Sequence, residues 1–196
     1  MRLLTALAFL CLTTPAMAQD VQPYIDFDAL FADKVDQVAP VEGRDGVTMI
    51  TMPGPVVVFR NETDGDPIYS TVDQSSAGPV ACMIEVLASI SSLETCDGAL
   101  TDRRKTAVAD GLDQLASFTA NNTYPPVAAA DRDDFRATFL AELTARQAPN
   151  AEWFCSTVND DVGVTRFVRN FVDSLAEDGL AELLEIPRLP ALNPCY

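Results

Sequence analysis

The chain has 196 residues, with 13 Lys and Arg, 29 Asp and Glu, no His and five Cys. Its formal net charge of −16 disfavours nucleic acids and anionic lipid surfaces as partners, because affinity for phosphate groups depends on Lys and Arg. The absence of His excludes Ser-His-Asp and Cys-His nucleophile systems and every metal site that contains His. Hydrophobic residues make up 48% of the chain, which is enough for a globular core.

The first eighteen residues have the pattern of a secretory signal peptide. Arg2 supplies a basic start, residues 3–12 form an apolar run, and Ala16, Met17 and Ala18 form a small-x-small cleavage site. The apolar run is shorter than the ~20 residues that a membrane-spanning helix needs, and no later stretch approaches that length. We therefore expect no membrane span and a periplasmic or secreted protein. Removal of residues 1–18, which contain one Arg and no acid, leaves 178 residues with a net charge of −17.

Four cysteines remain in the mature chain: Cys82, Cys96, Cys155 and Cys195. An even number in an exported protein predicts two disulfides, because export delivers the chain to an oxidising compartment. The spacing fits neither the C-x₂₋₄-C pairs of zinc sites nor the C-x-x-C motif of redox enzymes. Three arrangements stay open, namely Cys82–Cys96 with Cys155–Cys195 and the two crossed ones. The first is hard to close, since a helix from residue 82 to 93 spans ~16 Å and three further residues return at most ~10 Å.

Hydrophobic periodicity predicts an α+β fold, with a small N-terminal antiparallel sheet packed with a C-terminal bundle of four to five helices. A short helix is predicted over residues 26–38. Strands are predicted at residues 47–52, 56–60 and 68–72, because turn residues separate these β-branched and aromatic runs. Further helices are predicted over residues 80–93, 101–120, 131–146, 151–158, 162–177 and 180–185. We expect one domain over residues 19–196, with a sheet region at about 40–76, a helical region at about 79–185 and a Pro-rich tail at 186–196.

The last long helix and the only Trp carry the most prominent apolar side chains. The inner face of that helix is predicted to consist of Val164, Phe167, Val168, Phe171 and Leu175. Trp153 directly precedes Phe154 and Cys155, and we expect it to pack in the core beside a disulfide. If Trp153 is exposed instead, it marks a binding surface.

Carboxylates are the remaining candidates for catalysis, since two of them about 5–10 Å apart suffice for glycoside hydrolysis. The candidate pairs are Asp133 with Asp134, Asp160 with Asp161, and Glu182 with Glu185. The first two pairs lie at predicted helix starts, where acidic residues favour the positive end of the helix dipole, and the third lies on a predicted solvated face. We therefore assign no catalytic residue.

The acidic loop over residues 61–66 is the candidate cation site. Its oxygen donors around Gly65 are Asn61, Glu62, Thr63, Asp64 and Asp66. The loop lacks the D-x-[DN]-x-[DN]-G register of an EF-hand, and Asn, Asp and Gly are also typical of a hairpin turn. We predict a turn and assign no metal ligand, and calcium binding stays open. No glycine-rich phosphate-binding motif is present, so no cofactor is expected.

Arg103, Arg104 and Lys105 form the only cluster of consecutive basic residues. Because successive side chains of a helix point in different directions, we expect them to pair with Asp102 and other nearby acids. Similarly, Arg169 has a local acidic neighbour four residues later at Asp173.

No motif in the chain identifies a known family. The features above predict an exported, non-enzymatic protein of the cell envelope that binds another protein or a small ligand. The alternative is a small carboxylate-dependent hydrolase that acts on glycan or cell-wall material.

Overall fold

The computed structural model describes residues 24–62 and 65–191. The predicted signal peptide, residues 19–23, Thr63, Asp64 and Cys195 lie outside the described residues. The fold is α+β, as predicted: a four-stranded antiparallel sheet on the N-terminal side precedes a C-terminal helical bundle.

The sheet is a meander in which each strand pairs with the next one along the chain. Its strands are β1 (Ala39–Pro40), β2 (Val47–Met52), β3 (Val56–Asn61) and β4 (Ile68–Asp73). The last three confirm the predicted strands, and their register aligns Val47 with Asn61 and Asn61 with Ile68. The first strand was not predicted, because two residues are too few to show a period-2 pattern and one of them is a proline.

One helix precedes the sheet and six follow it. These are α1 (Phe27–Asp33), α2 (Val80–Ser91), α3 (Asp102–Asn122), α4 (Arg132–Gln147), α5 (Ala151–Asp160), α6 (Val162–Asp178) and α7 (Ala181–Leu184). Most boundaries lie within a few residues of the predicted ones, but α1 ends early and residues 35–37 form a separate 3₁₀ turn. Among the described helices, none is both long enough and apolar enough to cross a membrane.

The buried apolar side chains form two clusters. The larger lies within the helical bundle and includes Ile84, Leu115 and Val172. The smaller lies between α1 and the sheet and includes Leu30 and Ile50. Tyr24 packs against both clusters, so the sheet and the bundle share contacts at the first described residue.

The segment after α7 packs against the sheet. Leu189 and Ala191 belong to the smaller apolar cluster and are 6% and 0% exposed. The guanidinium of Arg188 is fully buried, and its Nε donates to Asp73 Oδ2 at 2.6 Å. Its two Nη groups donate to three backbone carbonyl oxygens, those of Gly78, Leu183 and Ile186. The described part of the predicted Pro-rich tail is therefore tied to β4, to α7 and to the loop before α2.

A disulfide joins Cys96, which follows α2, to Cys155 of α5, with Cα atoms 5.5 Å apart. This bond excludes the neighbour pairing of Cys82 with Cys96 and belongs to one of the two crossed arrangements. The predicted obstacle is present, because α2 continues as a 3₁₀ turn to Thr95 and carries the chain away from Cys82. Cys82 is itself disulfide-bonded.

Candidate functional site

Asp160 and Asp161 take part in helix structure. Asp161 is the N-cap of α6, and its Oδ1 accepts hydrogen bonds from the backbone N–H groups of Gly163 at 2.7 Å and Val164 at 3.1 Å. Asp160 accepts a hydrogen bond from Ser156 Oγ at 3.2 Å, one turn earlier on α5.

The other two carboxylate pairs face solvent. Asp133 bonds to Arg136 at 3.1 Å on the same helix, and Asp134 is exposed beside it. Glu182 and Glu185 are exposed at α7. The structure therefore places all three predicted pairs in capping or surface positions.

The candidate cation loop has a described part and an undescribed one. Glu62 forms an ion pair with Arg60, and Gly65 has a φ of +120°, a backbone conformation that favours glycine in turns. Within residues 24–62 and 65–191, no group of three or more Cys, Asp or Glu side chains is placed to hold a metal ion.

The three basic residues at the start of α3 diverge, as helical geometry predicts. Arg104 forms a two-pronged bond to Asp173 of α6, with Nε to Oδ1 at 2.9 Å and Nη2 to Oδ2 at 2.7 Å. Lys105 Nζ donates to the backbone oxygen of Glu94 at 3.3 Å. The hydrogen bonds from Arg104 lower the pKa of Asp173, and Arg103 adds a smaller attraction. Arg104 was expected to pair with nearby acids such as Asp102, but it binds Asp173, which is 69 residues away in the sequence. Asp173 was itself the local partner expected for Arg169.

Arg103 instead lines a groove of about 460 Å³ between α3 and the end of α6, which we call the α3–α6 groove. Ligand pockets in proteins usually have volumes of about 300–1,000 Å³. The polar lining consists of Arg103, Thr106, Asp110, Gln114 and Glu177, all of them exposed. The apolar floor includes Ala107, Gly111 and Leu175.

Gly111 allows α3 and α6 to approach each other at the floor of this groove. A Cβ atom at position 111 would lie 3.0 Å from Leu87 Cδ1 and 3.2 Å from Leu175 Cδ2. Glycine inside a helix lowers the stability of the helix by about 1 kcal/mol relative to alanine. Gly111 was therefore the one sequence feature of the groove that could have indicated a close approach between α3 and another helix. Sequence reasoning missed the groove because its two walls are far apart along the chain.

A second surface lies on the hairpin formed by α5 and α6, which Asp161 alone connects. Trp153 is 64% exposed, Val162 76% and Phe167 58%, and we call these three side chains the α5–α6 surface. The prediction that Trp153 and Phe167 pack in the core is therefore wrong. The buried apolar side chains of α6 are Val168, Val172 and Leu175, and Phe167 lies ~100° around the helix from its neighbour Val168.

Each exposed ring of the α5–α6 surface rests on a half-buried ring. Trp153 contacts Phe154 edge to face, with centroids 4.9 Å apart, and Phe167 stacks on Phe171 at 5.9 Å. Phe154 and Phe171 pack against the helical core, and the neighbouring Cys155 is held by its disulfide. The exposed rings are therefore supported by a packed base.

The exposed side of α6 is locally basic. Residues 162–172 contain Arg166 and Arg169 but no Asp or Glu, in a chain where acids outnumber bases by 29 to 13. Both arginines are exposed on either side of Phe167 in the sequence, and neither forms an ion pair with another described residue. Asp173, the next acid on this helix, is held by Arg104.

Tyr69 of β4, which contacts α1, has a perturbed pKa. The Tyr69 hydroxyl donates a hydrogen bond to Asp28, and its ring stacks on Phe27 with centroids 5.1 Å apart. Desolvation, followed by the bond to Asp28, raises the pKa of Tyr69 to about 12.

Comparison with protein-family models, with curated proteins and with solved structures finds no match to this chain. The candidate sites consequently depend on geometry and chemistry alone.

Proposed function

We propose that the chain is an exported, non-enzymatic binding protein of the cell envelope that docks an acidic partner protein on its α5–α6 surface. The observation that carries this proposal is the exposure of Trp153 and Phe167 on a packed aromatic base. Tryptophan is enriched among the residues that contribute most to binding, and a rigid ring loses little conformational entropy when a partner covers it.

The charge beside Phe167 favours an acidic partner. Arg166 and Arg169 provide two positive charges with no acid between residues 162 and 172. An acidic protein segment with apolar side chains complements both features of the surface.

Two features support export. The sequence of residues 1–18 has the three parts of a signal peptide. The Cys96–Cys155 disulfide is of a kind that cytosolic proteins rarely keep. We expect the N-terminal sequence of the mature protein to begin at Gln19.

The alternative hydrolase has weaker support. Its three candidate pairs occupy capping or surface positions. The α3–α6 groove does contain two carboxylates, Asp110 and Glu177, but both side chains are exposed. The acid of a glycoside hydrolase lies in apolar surroundings that keep it protonated.

The fluorescence of Trp153 tests the proposal directly, because it is the only Trp in the chain. Proteins captured from an envelope extract by the mature protein would be purified and titrated against it one at a time. We expect a partner to shift the Trp153 emission to shorter wavelength and to protect it from a soluble quencher. Phe167→Ala should weaken binding by about 30-fold, while the control Val35→Ala, at a 66% exposed side chain elsewhere, should not.

Charge reversal provides a second arm. Arg166→Glu should weaken binding more at low salt than at high salt, because exposed charges are screened. The proposal fails if no captured protein shields Trp153, or if Phe167→Ala and Val35→Ala behave alike. It also fails if the isolated chain dimerises with Trp153 already shielded, since the occupant would then be a second copy.

A further inference from the structure

Opposite charges lie apart from each other along the α3–α6 groove. Arg103 lies at the first turn of α3, and Asp110 follows it by seven residues, which is two helical turns or about 10 Å. Arg104 contacts Asp173 and Gly111 approaches Leu175, so α3 and α6 advance in the same direction along the groove. Glu177 follows Leu175 on α6 and therefore lies toward the Asp110 end.

The backbone dipoles reinforce this polarity. The positive end of the α3 dipole lies at the Arg103 end of the groove, and the negative end of the α6 dipole lies near Glu177. Within the described residues, Arg103, Asp110 and Glu177 form no ion pair with one another or with any other side chain. Asp173 is bound by Arg104, and Arg103 lines the groove instead.

We propose that the α3–α6 groove binds a short peptide of about three residues with free termini. Its carboxylate binds Arg103 and its ammonium group binds Asp110 and Glu177. Three extended residues span about 10 Å, which matches the rise along α3 between Arg103 and Asp110. A guanidinium can bind a carboxylate through two parallel hydrogen bonds.

The middle of the groove suits a peptide backbone. Thr106, between Arg103 and Asp110 on α3, offers a hydroxyl that can donate and accept hydrogen bonds, and Gln114, one turn beyond Asp110, offers an amide. Ala107, Gly111 and Leu175 form an apolar floor, on which a small side chain can rest. None of the described residues that line the groove is aromatic, whereas a sugar ligand would favour an aromatic platform.

Calorimetric titration of the mature protein with trialanine tests this inference. We expect trialanine to bind, and we expect N-acetylation or C-terminal amidation of the peptide to weaken binding about tenfold or more. Dialanine should also bind more weakly, because it cannot reach both charged ends.

The variants assign each terminus to its residue. Arg103→Gln should weaken trialanine binding and remove the additional loss on amidation, while sensitivity to acetylation persists. Asp110→Asn should show the reverse pattern. The matched controls are Arg44→Gln and Asp45→Asn, two exposed charges on the β1–β2 turn, and both should bind trialanine like the unaltered protein.

Several outcomes would overturn the inference. These are no binding of trialanine, equal binding of the blocked peptides, or equal losses in the Arg103→Gln and Arg44→Gln variants. The groove does not include the α5–α6 surface, so the Phe167→Ala variant should bind trialanine normally. A failure of the docking proposal therefore leaves this inference standing, and the converse also holds.

Discussion

Replacing Arg188 by methionine should destabilise the protein more than replacing any exposed arginine. Arg188 and Asp73 form an ion pair whose two side chains are 0% exposed, 115 residues apart in the sequence. Methionine keeps much of the apolar stem and its contact with Phe118, over which the guanidinium lies at 5.9 Å. It removes the charge and all four hydrogen bonds donated by the guanidinium.

The magnitude follows from what the substitution leaves behind. The Asp73 carboxylate loses its buried counter-charge, and breaking a buried ion pair in this way costs about 3–5 kcal/mol. A domain is stable by only about 5–15 kcal/mol, so the loss is a large fraction of the total. For a chain of this size it corresponds to a fall in Tm of about 6–20 °C.

Urea denaturation of four proteins measures the effect: the unaltered chain, Arg188→Met, Asp73→Asn and the double variant. We expect each single variant to lose several kcal/mol and the double variant to lose clearly less than the sum, because neither charge then remains buried alone. The control is Arg146→Met, whose ion pair with Glu85 is partly exposed and should contribute about 0–1 kcal/mol. Equal losses at Arg188 and Arg146, or additive losses in the double variant, would refute the reasoning.

Three further predictions concern the backbone, the disulfides and a tyrosine. Gly54→Ala should destabilise the fold by about 1–3 kcal/mol more than Gly43→Ala in urea denaturation, because both glycines have positive φ but only a Cβ at 54 would overlap Arg188. Non-reducing peptide mapping should recover Cys82 with Cys195, the two mature cysteines that remain once Cys96 and Cys155 are joined, and a free thiol at Cys195 would contradict this. Alkaline ultraviolet titration should show one tyrosine with a pKa of about 12 that is missing from Tyr69→Phe. Since the raised pKa favours the neutral phenol in the folded state, the contribution of Tyr69 to stability is complete below pH 10 and is lost between pH 10 and about 12. If the titration that disappears in Tyr69→Phe is instead one with an ordinary pKa near 10, the assignment is contradicted.

The sheet was predictable because its signals are local. Strands β2, β3 and β4 are runs of β-branched and aromatic residues separated by Pro, Gly, Asn and Asp, and the predicted limits differ by one residue at most. The helices were predictable for the same reason, since each carries an apolar stripe of period 3.6. Helix geometry also indicated that a Cys82–Cys96 bridge is hard to close, although all three cysteine pairings stayed open.

Contacts between distant segments were not predictable. The sequence around Arg188 resembles an exposed tail, and only the fold shows that Asp73 lies opposite it. Arg104 has the acid Asp102 nearby but bonds to Asp173, because a tertiary partner with two-pronged geometry is stronger than a flexible surface pair. Periodicity also cannot separate the centre of an apolar stripe from its edge, which is why Phe167 was assigned to the core.

The absence of His, which excludes Ser-His-Asp and Cys-His nucleophile systems, also bears on how both surfaces bind. The α5–α6 surface uses arginines, and the α3–α6 groove uses an arginine and carboxylates, whereas His is the side chain whose ordinary pKa lies near neutrality. The α-amino group of a peptide has an ordinary pKa of about 7.7–8.0. A loss of trialanine affinity between about pH 7 and 9 would thus be expected from deprotonation of the peptide, and N-acetylated trialanine, which has no such group, should not show it. The two surfaces share α6 but lie at different positions along it, because Leu175 and Glu177 follow Phe167 by eight and ten residues, or about 12–15 Å along the helix. One amphipathic helix can thus serve two binding sites that are independent of each other.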